Sequence, residues 1–194
     1  MLSVAEISRG LQGALAFLRR DPLAPAAFDN TVEACLRSFR VMALAAPFYA
    51  AYVAINYAGI EVEAEAGEIV LVEILRYFVE WLLFPVVFFE IARRRGWGDR
   101  YPRYIGALNW INLPATVFAL VAVGLETVTP PAMSAVIDIA MRALFFYWFL
   151  VTTRMTLSAS WGLSIALLAV NWVPSFLLSF IVARYVGVIG LAGG

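Results

Sequence analysis

Long apolar stretches alternate with short polar breaks along this chain, and their lengths predict an all-α protein. Five stretches fall at about 41–59, 69–92, 104–125, 133–153 and 160–183. Each has the roughly twenty residues that cross a ~30 Å hydrocarbon core at 1.5 Å per residue. The breaks differ in character. Ile60 to Glu68 is acidic, Arg93 to Arg103 is basic, Glu126 to Pro131 holds a proline pair, and Arg154 to Ser160 is small and polar. The expected fold is a polytopic transmembrane helical bundle of five spans over residues 30–194, with no loop long enough for a second folded unit.

Ahead of the first span, Val4, Ile7, Leu11, Leu15 and Leu18 recur at three- and four-residue steps, with Glu6, Ser8, Arg9 and Gln12 off that stripe. This is the pattern of an amphipathic helix. It suits either a helix lying flat at the headgroup boundary or one packed on the cytoplasmic ends of the bundle. The stretch lacks the basic start of a signal peptide. Asp21-Pro22 and Pro25 end it, so residues 1–29 are expected to be a cytoplasmic amphipathic helix and linker. Asn30 and Glu33 have capping-box spacing, which predicts a helix running from there through Arg37 and Arg40 into span one. Pro47 and Pro85 are expected to kink spans one and two.

Composition turns this pattern into a statement about solvent. Hydrophobic residues make up 63% of the chain and charged residues 14%, against about 25% charged in soluble domains, so the outer surface calls for lipid. The basic residues then orient the bundle. Arg9, Arg19, Arg20, Arg37, Arg40, Arg93, Arg94, Arg95, Arg100, Arg103 and Arg154 fall on one side, and only Arg184 on the other. The N-terminus is therefore expected in the cytoplasm and the C-terminus opposite. Net charge is zero, which gives no attraction to nucleic acid.

Two spans carry charges away from their ends. Glu73, Arg76 and Glu80 lie on one face of span two, and Asp138 and Arg142 are four apart in span four. Counted from the outer boundary, Arg76 is level with Asp138 and Arg142 with Glu80, so these are expected to pair across touching helices. Lipid-facing placement is disfavoured, since a charge at a span centre costs about 2.5–3.5 kcal/mol. The cluster reads either as a polar path or ligand site, or as an ion-pair network that fixes helix register.

Spans three and five share a second feature. One contains Asn109, Trp110, Asn112 and Pro114, the other Asn171, Trp172 and Pro174. Proline frees a helix carbonyl, and asparagine can satisfy it or bond a neighbouring helix. Because spans two and four also share an acid followed by Arg, spans two–three and four–five read as a tandem repeat. The loop containing Arg93, Arg94, Arg95, Trp97, Arg100 and Arg103 is the densest charge run. It suits anionic lipid headgroups or a protein partner, or serves only to set orientation.

Much chemistry is excluded. The chain has no His, no Lys and a single cysteine, Cys35. That removes His-based hydrolytic sites, His- or thiolate-ligated metals and a phosphate-loop lysine, so no enzyme, metal or cofactor is expected.

The run Tyr104-Ile105-Gly106-Ala107-Leu108-Asn109-Trp110 leading to Pro114, with Trp148 and the turn Leu157-Ser158-Ala159-Ser160, resembles bacterial Yip-domain proteins. The resemblance spans roughly residues 70–185. It implies five spans, a cytoplasmic N-terminus and the bacterial cytoplasmic membrane, and it supplies no catalytic residues. The Asp-Leu-Tyr-Gly-Pro motif of eukaryotic members is missing, so no trafficking role follows. The functions expected are a scaffold or assembly factor that binds lipids or membrane proteins, or alternatively a small transporter or channel subunit using the intramembrane charges. Either reading implies self-association or a membrane partner.

Overall fold

The computed structural model describes residues 2–58 and 60–187. Among them are seven α-helices: α1 Val4–Leu18, α2 Val32–Ser38, α3 Val41–Tyr57, α4 Ala66–Arg95, α5 Tyr101–Glu126, α6 Pro131–Leu157 and α7 Trp161–Val186. The C-terminus, expected on the outer side, lies outside the described residues.

Local chemistry sets the ends of these helices. At α1, the Ser3 hydroxyl accepts from the Glu6 N–H at 3.2 Å and the Glu6 carboxylate accepts from the Ser3 N–H at 2.8 Å, a complete capping box. Donation to that carboxylate by Ser3, first from its backbone N–H and then from its hydroxyl, holds the Glu6 carboxyl below its usual range, with Arg37 and Arg9 adding to the effect. The cap of α2 is Thr31, whose hydroxyl accepts from Ala34 N–H, and not the expected Asn30. Asn30 is drawn away by the basic loop: it donates to the Asp99 carbonyl and accepts from Arg103 N–H at 3.2 Å. The helix expected to run unbroken into span one is interrupted at Phe39–Arg40, where i→i+3 bonds tighten the chain by one turn. Helix α4 starts with Glu68 in its first turn and ends on Arg93, Arg94 and Arg95 before left-handed Gly96, charges that complement its dipole.

Four segments are long and apolar enough to cross a membrane: Val32–Tyr57, Tyr101–Glu126, Pro131–Leu157 and Trp161–Val186. This is consistent with an integral membrane protein. Helix α4 is longer, at 30 residues, but its charges keep it out of that group. Its outer face is nonetheless apolar, with Val70, Leu71, Leu75, Phe78, Leu82 and Phe89 exposed, and α7 presents Ile165, Phe176, Leu177, Phe180 and Ile181 the same way. Contiguous apolar faces of that size are unstable against water.

Helix α5 sits at the centre, packing on α1, α2, α3 and α6, while α7 packs on α4 and α6. Helix α1 is thus docked on α5 and α6. Its most buried residues are Gly10, Gly13, Ala14 and Phe17; of the expected stripe, Ile7, Leu11 and Leu18 pack half-buried beside them, while Val4 and Leu15 are exposed. The small residues allow close approach. A Cβ on Gly10 would fall 2.2 Å from the Trp110 ring, and one on Gly13 would lie 2.6 Å from Ala27. The Trp148 indole N–H donates to the Ala14 carbonyl at 2.9 Å, which joins α1 to the buried middle of α6.

Candidate functional site

Three of the charges expected inside the bundle, Glu73, Arg76 and Glu80, are built on α4, at one-turn spacing, and met by α3 and α7. Glu73 is buried, 4% exposed. Its carboxylate accepts from Tyr49 Oη at 2.7 Å and Tyr57 Oη at 2.9 Å, and Arg76 Nη1 lies at 3.3 Å. The two tyrosines are eight apart, two turns of α3, so both face α4. Arg76 Nη2 donates to Ser179 Oγ on α7 at 2.9 Å, and its buried Nε sits 3.8 Å from Glu80 Oε1 with no hydrogen-bond partner among the described residues.

The expected pairs Arg76–Asp138 and Arg142–Glu80 do not form. Arg142 instead bonds Asp138 on its own helix at 2.9 Å, with both side chains about half exposed. Two effects explain this. Partners three or four apart on one helix are already neighbours, and α7, the helix packed most closely on α4, presents Ser179 to Arg76, while α6 meets α4 through Phe149 against Phe84.

Convergence occurs around space. A cavity of about 330 Å³ is lined by Tyr49 and Tyr52 of α3, Arg76, Tyr77, Glu80 and Trp81 of α4, Asn112 and Thr116 of α5, Phe145 of α6, and Asn171 and Ser175 of α7. All five long helices contribute. The Asn112 and Asn171 side-chain amides have no hydrogen-bond partner among the described residues, whereas the backbone carbonyls of the same residues accept from Thr116 and Ser175. A second cavity of about 300 Å³ shares Asn112, Phe145 and Asn171 and adds Arg142, Trp148 and Trp172. An apolar groove of about 520 Å³ between α3 and α4 has Tyr49, Glu73 and Tyr77 in its wall, two of which, Tyr49 and Tyr77, also line the first cavity.

No protein-family model, curated protein or solved structure matches this chain. The site therefore has to be read from its own geometry.

The remaining expected residues divide by environment. Asn109 is buried and donates to Ser38 Oγ at 2.9 Å, so it ties α5 to α2 and does not face the cavity. Pro114 is buried inside α5, and Pro174 lies within α7. In the basic loop, Arg93 and Arg94 pair with Glu90. Arg100 donates to the Leu157 carbonyl at 2.6 Å and Arg103 to the Phe28 carbonyl at 3.1 Å, so both tie helix ends together. Trp97 stacks near Phe88, and Arg95 is exposed. Tyr49, Tyr52, Tyr57, Thr116, Ser175 and Ser179 were not anticipated. The signals were three tyrosines within nine residues of span one and two serines four apart in span five.

Proposed function

We propose that this chain is a small transporter or channel subunit whose central cavity takes a small organic cation. The observation that carries the reading is Glu80. Glu73 is saturated by two tyrosines and Arg76, while Glu80 faces the cavity with its only basic neighbour 3.8 Å away. Two carboxylates against one guanidinium leave one negative charge in excess beside the free amides of Asn112 and Asn171. An intramembrane charge of this kind is retained against a cost of kilocalories, which is why such residues so often line solute routes.

The reading includes five spans, with α4 as the second, the N-terminal helix at the cytoplasmic side and the bacterial cytoplasmic membrane as its location. Arginine placement supports the orientation. The likeness of residues 104–114 and 148–160 to Yip-domain proteins belongs to the same proposal and adds no activity. A reporter fused after Gly194 should be inactive in the cytoplasm, and an active one would overturn the orientation or the span count.

The test of function is uptake of guanidinium and choline into proteoliposomes. Wild-type protein should pass at least one of them, Glu80→Gln should abolish that flux at unchanged melting temperature, and Asp138→Asn, outside the cavity, should leave it intact. Wild-type vesicles no more permeable than empty ones would overturn the reading in favour of a scaffold that tolerates Glu80→Gln.

A further inference from the structure

Six of the arginines have a carboxylate within 4.0 Å among the described residues: Arg9, Arg37, Arg76, Arg93, Arg94 and Arg142. Arg20 and Arg154 do not, and they line the same cleft. This cleft, about 410 Å³, opens between the chain that follows α1 and the α6–α7 turn. Arg20 donates through Nε to Tyr147 Oη at 2.9 Å, and its guanidinium lies over that ring at 5.4 Å. Arg154 stacks over Trp161 at 4.1 Å and directs Nε at the Ala159 carbonyl, 3.4 Å away. Each guanidinium is thus oriented by an aromatic ring and has its Nε engaged. Among the described residues, neither has a carboxylate within 4.0 Å, and no acceptor meets their terminal amino groups.

Two oriented, uncompensated guanidinium forks in one cleft repel each other, and an anion between them relieves that repulsion. The terminal amino groups match the paired oxygens of a phosphate ester. The rest of the lining is apolar, with Val151, Met155 and Pro22, and Trp161 is 43% exposed at its edge. That combination suits a molecule with a phosphate at one end and a greasy body at the other. The cleft also lies where α6 ends and α7 begins, beside the Arg100–Leu157 bond, at the arginine-rich end of the bundle. A tryptophan at that level is where an amphipathic ring meets headgroups. We propose that this cleft holds the headgroup phosphate of an anionic phospholipid, gripped by Arg20 and Arg154.

The test uses the full-length protein in nanodiscs of phosphatidylcholine with and without phosphatidylglycerol, released for native mass spectrometry. Wild-type protein should retain phosphatidylglycerol in preference to phosphatidylcholine by about tenfold or more, as two basic residues near an anionic surface support. Arg20→Gln with Arg154→Gln should erase that preference while leaving the melting temperature in pure phosphatidylcholine unchanged. Should that pair fail to fold, Arg20→Lys with Arg154→Lys keeps the charge, loses the forks and should weaken the preference. Equal retention of both lipids by wild-type protein, or an undiminished preference in the folded variants, would overturn the site. Inorganic phosphate that stabilises the protein as much as phosphatidylglycerol does would overturn its assignment to a lipid.

Discussion

Asn109–Trp110 of α5 and Asn171–Trp172 of α7 are near copies in sequence, each followed closely by a proline, yet they do opposite work. In α5 the pair is sealed. Trp110 is 7% exposed with its ring against Gly10, and Asn109 is bonded to Ser38. In α7, Trp172 is 40% exposed, stacked on Phe176 and edge-on to Phe146, and Asn171 lines the cavity with its amide free. The difference comes from what covers each helix. Helices α1 and α2 close over α5, while the corresponding side of α7 presents apolar residues outward. A shared motif therefore marks a place where a helix can bend and bond, and its neighbours decide whether that place is sealed in packing or left lining a cavity.

The contrast can be broken by substitution, with stability read from the labelling of buried Cys35 by a thiol-reactive dye on heating. Trp110→Ala should have the largest effect, about 3–5 kcal/mol, since it empties a packed site. Trp172→Ala should cost less than about 1 kcal/mol, as changes at exposed positions usually do. Equal losses would dissolve the distinction. Next comes Gly10→Ala, which forces a methyl into the Trp110 ring and should cost about 1–3 kcal/mol. Gly162→Ala on α7, where an added Cβ meets nothing within 4 Å, is its neutral counterpart. Asn109→Ala should cost about 1 kcal/mol for one lost hydrogen bond, whereas Asn171→Ala should leave the melting temperature in place and reduce guanidinium or choline uptake.

The smallest effect concerns acidity. Glu6 titrates below its ordinary value in the folded chain, so its capping contribution is complete above the ordinary carboxylate range and is lost as pH falls through the depressed value. Glu6→Gln should flatten that acid-side decline in the melting temperature. An unchanged slope would show that the α1 cap contributes nothing to it.

Helix positions were legible because apolar runs and their breaks are written directly in the chain: the stretch expected at 104–125 is α5 at Tyr101–Glu126, and that at 133–153 is α6 at Pro131–Leu157. The charged residues Glu73, Arg76 and Glu80 were legible by type and by their shared spacing along one helix. Their partners were not, because a single sequence does not say which helix lies beside α4, and intrahelical neighbours capture charges first. The docking face of α1 was legible only in part: Ile7, Leu11 and Leu18 do pack against the core, but the small residues at its centre were not foreseen. Hydropathy weights leucine, whereas tight helix contact against Trp110 and Phe28 selects Gly10 and Gly13. Ser3 and Glu6 carried a readable capping signature that the amphipathic pattern overshadowed.

The bond from Trp148 to the Ala14 carbonyl joins residues 134 positions apart. Phe17 finds a first partner close by in the chain, stacked on Phe28, but the seat of α1 on both α5 and α6 exists only once those two helices lie side by side. The last seam to close in this bundle is therefore the one that joins its most distant segments.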